Sequence, residues 1–205
     1  LPHKDFERFN MSEIRIGVIG SGFMGRTHVD AAAKLESTIP VAITSGSRAE
    51  KVASDYGLDL EPDVQSLVNR DDIDAIVIST PHWLHHEEAM AAANAGKHVL
   101  VEKPMATSLE HCDEMIAAFK ERGLTLSVGY HQRFRESNYT TRDLIQSGEI
   151  GSIRCIQMSA LFDITALRSD PGFGGNWGWW TNPLAMAHLM NSAPHNIDLL
   201  RWWLG

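Results

Sequence analysis

A chain of 205 residues with 43% hydrophobic content can build one large globular domain, or one domain and part of a second. Its net charge of −8 leaves no basic footprint for nucleic acid and argues against an anionic membrane surface as a partner. Its two cysteines, Cys112 and Cys155, give neither a disulfide framework nor metal-ligand spacing, and no apolar run approaches the ~20 residues of a membrane helix. A reducing, cytoplasmic setting is expected.

Residues 1–10 carry Lys4, Asp5, Glu7 and Arg8 without the apolar stretch of a secretory signal, and read as an extension ahead of Met11. Ile14 to Ile19 is a short apolar strand, followed by an alanine-rich helix from Phe23 to Leu35. Pro40 to Thr44 reads as the second strand. Ser47 is placed to cap a helix that runs to Tyr56 and stops at Gly57. Asp63 caps a short helix through Asn69, and Asp74 to Ser79 is a buried-type strand. A helix from Trp83 to Ala95 ends at Gly96, and His98 to Glu102 is the next strand. Thr107 and Glu110 form a capping box for a helix to Arg122. Leu124 to Gly129 is a sixth strand. Strictly alternating strands and helices predict a doubly wound parallel sheet over residues 11–130.

The pattern changes after Tyr130. Arg135 to Gln146 reads as a helix closed at Gly148, and Ile150 to Leu161 as one long strand. Asp163 to Asn182 is a Gly- and Trp-rich loop, and Pro183 to Leu204 a helix kinked at Pro194. A single strand cannot satisfy its own backbone groups. Residues 131–205 therefore read as the incomplete start of a second α/β domain. The chain is expected to be a fragment of a longer protein, or to borrow strands from another copy.

Two strings carry the chemistry. Gly20-Ser21-Gly22-Phe23-Met24-Gly25 lies between the first strand and the first helix. Gly20 makes the tight turn, Gly22 lets backbone approach a pyrophosphate, and Gly25 lets helix and strand pack closely. Glu102-Lys103-Pro104 follows a later strand at the same edge, where open parallel sheets bind ligands. At the end of the second strand, Thr44-Ser45-Gly46-Ser47-Arg48 holds no carboxylate to bind a ribose 2′-hydroxyl. Ser45 and Ser47 offer hydroxyls and Arg48 a cation to a 2′-phosphate, which predicts NADP(H) over NAD(H).

With Thr80-Pro81 and His85, the run Gly96 to Val99, and His195 to Leu200, these motifs resemble the glucose–fructose oxidoreductase, inositol dehydrogenase and MocA family from about Glu13 to Gly205. The resemblance implies a Rossmann domain followed by an open-sheet α/β domain, and hydride transfer between NAD or NADP and sugars or polyols. It also implies a homo-oligomer in the full-length form. The family's lysine falls on Lys103 and its histidine on His195, with Asn191 where an aspartate usually stands. Leu184 to His188 replaces a glycine-rich run, and His82 replaces an asparagine after Thr80-Pro81. A cis Lys103-Pro104 bond is implied. The loop around Ser45, with Glu50-Lys51, is similar to members that prefer NADP.

On this reading His195 takes the hydroxyl proton without a large pKa shift, Lys103 holds the alcohol oxygen, and Asn191 orients the histidine one helical turn away. Thr80, Pro81, His82 and His85 border the cofactor. Glu102 pairs with Lys103 or with the cofactor, and Arg133 binds cofactor or braces the hinge after Tyr130. Trp179 and Trp180 line a sugar pocket or lid, or else form a packing or dimer surface. His188 is a further substrate contact. His28 reads as packing or support. No metal is expected at His82, His85 and His86, which carry no carboxylate–histidine zinc pattern. Two rivals remain: a cofactor-binding protein without catalysis, and an NAD-dependent glycoside hydrolase.

Overall fold

The computed structural model describes residues 13–159 and 187–205, with side chains described for all of these except residues 187–192. Six parallel strands form one sheet: β1 (Ile14–Ile19), β2 (Thr38–Thr44), β3 (Asp59–Leu60), β4 (Ala75–Ile78), β5 (His98–Val101) and β6 (Leu126–Val128). Their order is β3-β2-β1-β4-β5-β6. The direction of winding reverses between β1 and β4, which opens a crevice at the carboxyl ends of the strands.

Alternation along the strands feeds two cores. Ile19, Ile76, Ile78, Val99 and Val101 pack with α3 (Val64–Val68), α4 (His85–Asn94) and α5 (Leu109–Glu121). Val18, Ile43 and Val77 pack instead with residues of α1 (Phe23–Lys34) and α2 (Ala49–Tyr56). A parallel sheet covered on both faces demands such β-branched, near-continuous apolar runs.

Several local expectations are corrected. The two-residue β3 was not anticipated. It pairs with β2 through Ala42 and Ile43, yet both of its residues are exposed, so it carries no apolar signal. The β1–β2 register shifts between Ile16 and Gly17, where Ile16 stands opposite Pro40. Proline has no N–H for the ladder, and a bulge accommodates it. Arg48, rather than Ser47, occupies the cap position of α2, with no side-chain cap hydrogen bond. The cap of α5 is Ser108, which accepts from the His111 amide at 3.1 Å, so the Thr107–Glu110 box does not form. Asp63 caps α3 as expected.

After β6 come a 3-10 turn (His131–Phe134) and α6 (Glu136–Gln146). The strand expected over 150–161 is not formed at 151–159, which is irregular and mostly exposed. No strand among the described residues lies beside it to complete a ladder. The last helix, α7 (Ala187–Leu204), contains Pro194. It docks on α6 through a Tyr139–Trp202 edge contact at 5.2 Å and a hydrogen bond from Trp203 Nε1 to Asn138 O at 3.1 Å. The extension through Met11, the tryptophan loop and the helix start at Pro183 lie outside the described residues.

Candidate active site

The glycine turn is built as the motif requires. Gly20 sits at φ +103°, and a Cβ there would lie 2.8 Å from Ser79 backbone atoms. A Cβ on Gly25 would come within 1.9 Å of Gly20 O, so α1 starts directly on the turn. Gly22, at the cap position of α1, differs: a Cβ there would meet nothing within 4 Å. The helix has neither a side-chain cap nor an acidic residue in its first turn. The positive end of its dipole therefore faces the open space at Gly22, which fits the diphosphate of a dinucleotide. Phe23 is exposed and Met24 half-buried beside it.

The loop after β2 is locked onto this turn. Ser21, buried, accepts from the Arg48 amide at 3.2 Å. Ser45 holds a left-handed conformation at φ 67° and Gly46 follows at φ 90°. Ser45, Ser47 and Arg48 thus sit next to the glycine turn, and the segment 44–48 brings no carboxylate to it.

Behind the β4 and β5 ends lies a buried polar layer. His85 is fully buried, with Nδ1 2.8 Å from Pro104 O and Nε2 2.9 Å from Thr80 O. Burial lowers its pKa against the pull of the two carbonyls. The side chain has no exposed surface and lies between two carbonyls, of which the neutral ring donates to one, so His85 supports Thr80 and Pro104 from within. His82 is likewise buried, its ring edge-on to that of His85 at 5.8 Å. Glu102 is only 6% exposed; it accepts from His28 Nε2 at 2.9 Å and from the Lys103 amide at 3.2 Å. Burial alone would raise this carboxyl, but the bond from His28 and the nearby Lys103 ammonium hold it below its ordinary value. Of the two expectations for Glu102, the contact with Lys103 is made, through its backbone amide. Gly129 leaves it room, since a Cβ there would lie 3.1 Å from Oε1.

Lys103 follows β5 on a cis Lys103-Pro104 bond, as the family resemblance implied. Burial depresses its pKa and the Glu102 charge resists that shift. His195, on α7, lies within electrostatic reach of it: burial, then Lys103 and the neighbouring His131, push His195 down to about 4. The expectation of an unshifted histidine is corrected, because a half-buried imidazole beside an ammonium disfavours a second positive charge. His195 Nδ1 is buried without a hydrogen bond among the described residues. The His131 ring packs edge-on against it at 4.7 Å and Tyr130 at 6.2 Å.

Helical spacing puts residues 188, 191 and 195 on one face of α7. The side chains of His188 and Asn191, and all of Trp179 and Trp180, lie outside the described residues. Arg133 is engaged by a bidentate pair with the buried Asp198 of α7, including Nε to Oδ2 at 2.7 Å, so it braces the junction.

Two residues at or behind the site carried no expectation. His131 had no motif to mark it. Glu88 is 6% exposed on the buried stripe of α4 and receives the Thr80 hydroxyl; burial, relieved in part by that bond, raises it to about 7. Its place three residues after His85 and four before Ala92 was a legible signal.

Residues 14–130 match the GFO_IDH_MocA family, described as an oxidoreductase family with an NAD-binding Rossmann fold. The chain belongs to this family. The 4-carboxy-2-hydroxymuconate-6-semialdehyde dehydrogenase of Sphingobium sp. is 32% identical over 195 residues, covering 94% of this chain and 59% of its own length. The levoglucosan dehydrogenase of Pseudarthrobacter phenanthrenivorans is 31% identical over 206 residues, covering 95% and 52%. The scyllo-inositol dehydrogenase of Lactobacillus casei, solved with bound NAD(H) and scyllo-inositol, superposes with a TM-score of 0.82 at 26% identity, covering 94% of this chain and 56% of its own. The chain spans about half the length of the curated relatives it matches. Among the described residues no helix is long and apolar enough to cross a membrane.

Proposed function

We propose that the protein transfers a hydride between a nicotinamide dinucleotide and a sugar, polyol or related hydroxy or keto compound. The observation that carries this reading is one sheet edge with two halves: a helix start without a side-chain cap above the open Gly22, and the half-buried Lys103 within electrostatic reach of His195. Residues 11–130 hold the cofactor, and residues 131–205 begin the substrate and oligomerisation domain. The bound cofactor supplies the hydride acceptor. Lys103 holds the alcohol oxygen and favours the charge that develops on it. His195 is neutral at pH 7, the form that takes the hydroxyl proton. Asn191 orients it from one turn away, and His188, Trp179 and Trp180 complete the substrate side.

The preferred cofactor in this reading is NADP(H), with NAD(H) as the alternative. Support comes from Ser45, Ser47 and Arg48 lying next to the glycine turn, in a loop without a carboxylate. Titration with NADPH and NADH tests it. Wild type should bind NADPH more tightly, and Arg48→Ala should lose roughly tenfold or more for NADPH while changing little for NADH, the size expected of a lost charge-assisted contact. Preference for NADH, or no effect of the substitution, removes the 2′-phosphate argument.

A further inference from the structure

We propose that His86, His111 and Glu114 form a divalent transition-metal site, best suited to zinc, that clasps α4 to α5. The three residues come from two neighbouring helices. His86 is the second residue of α4, while His111 and Glu114 stand one turn apart near the start of α5. Their ligand atoms all lie within 4.8 Å of one another. Along the chain His82 stands four residues before His86, but the set named here is assembled by the docking of α4 on α5.

Two details distinguish the cluster from an ordinary surface ion pair. First, His86 Nε2 lies 2.8 Å from Glu114 Oε2, yet the nitrogen is buried and makes no hydrogen bond. The carboxylate approaches out of line with the ring nitrogen, so proximity is present without the directed bond. Second, the His86 and His111 rings stack with centroids 4.0 Å apart and 9° between their planes. Two imidazoles and a carboxylate thus crowd one point without a directed hydrogen bond from His86 Nε2 to hold them there.

The donor set fits the ion. Two histidine nitrogens and one carboxylate oxygen, with a water in the fourth position, is an established zinc ligand combination. Imidazole also favours copper and nickel over magnesium and calcium. With bonds of ~2.0–2.1 Å, tetrahedral ligands stand about 3.4 Å apart. Closing from a 4.8 Å limit therefore takes at most about 1.4 Å, supplied by tilting the stacked rings and swinging Glu114, whose side chain is 59% exposed. The site has a route to function. His86 adjoins His85, which lies between the Thr80 and Pro104 carbonyls at the β4 and β5 ends. An ion at His86 would hold α4 and α5 rigid directly behind the candidate cofactor edge.

The test is calorimetric titration of chelator-treated protein with zinc chloride, beside a His111→Ala, Glu114→Gln double variant. Both substituted residues lie outside the proposed redox machinery. One equivalent per chain should bind, the double variant should bind at least tenfold more weakly, and only wild type should gain thermal stability with zinc. Cobalt(II) should give the visible bands of a low-coordinate site in wild type alone. Unchanged unfolding of the metal-free variant confirms that it is folded. No saturable zinc binding, or equal binding by the variant, would overturn the proposal; the latter would place the ion on other histidines such as His131 and His195.

Discussion

Glu88→Gln is expected to stabilise the protein above pH 7 and to leave it nearly unchanged near pH 4.5. The carboxyl is 6% exposed and its bond is to the Thr80 hydroxyl, while the charge acting on it is the like charge of Glu87. Its folded value is about 7 against an ordinary 4.5. A folded value raised above the unfolded one gives stability that is complete below pH 4.5 and disappears as pH climbs through 7. At ~1.36 kcal/mol per pH unit, the loss amounts to about 3 kcal/mol at most. Glutamine keeps an acceptor for Thr80 and does not titrate, so it escapes that loss. Urea unfolding of both proteins at pH 5 and pH 8 measures it, because the midpoint follows stability when the slope is unchanged. The variant's advantage should grow by about 2–3 kcal/mol from the lower to the higher pH. Parallel pH profiles for the two proteins would refute the buried, uncompensated carboxyl.

His195 should titrate near 4 in an NMR experiment on its ring protons, staying neutral through pH 5. Its depressed value also means that it subtracts stability as pH falls from 6.5 towards 4, where the unfolded chain binds a proton that the folded one refuses; a ring titrating near 6.5 would remove the Lys103 contact from the account. Arg133→Ala strands the buried Asp198 and should cost about 1.5–3 kcal/mol of unfolding free energy. Restoring part of that stability with Asp198→Asn in the same chain would identify the unpaired charge as the cause. Gly25→Ala drives a methyl group to within 1.9 Å of Gly20 O, so both thermal stability and cofactor affinity should fall.

Much of this architecture was legible because its signals are local. Apolar runs bounded by Gly57, Gly96 and Gly123 set out the alternating elements, and each of these glycines takes the left-handed conformation expected at a helix end. What was hidden depended on neighbours. The exposed pair Asp59–Leu60 becomes a strand only because β2 offers it a free edge. The run 150–159 reads as a strand by composition but finds no neighbour among the described residues. Ser108 takes the cap from Thr107 because it holds the extended conformation one residue later. In the site, Gly20, Gly22, Gly25 and Lys103 announced themselves through motif and position. The sequence suggested cofactor contacts at His85 and Glu102, whereas folding turns both side chains inward to hold Thr80, Pro104 and His28. His131 meets His195 across 64 residues of chain, a contact that no spacing could reveal.

The most direct trial of the dinucleotide site is an NADPH titration of wild type against Gly22→Val, with thermal unfolding as the control. A valine there meets no protein atom near its Cβ, so the unfolding midpoint should fall only by the modest cost of a poor cap residue, while the side chain fills the space above the helix start. Saturable binding by wild type, and affinity reduced at least tenfold in the variant, is the predicted result. Equal affinity in the two proteins would mean that the diphosphate does not rest on this turn.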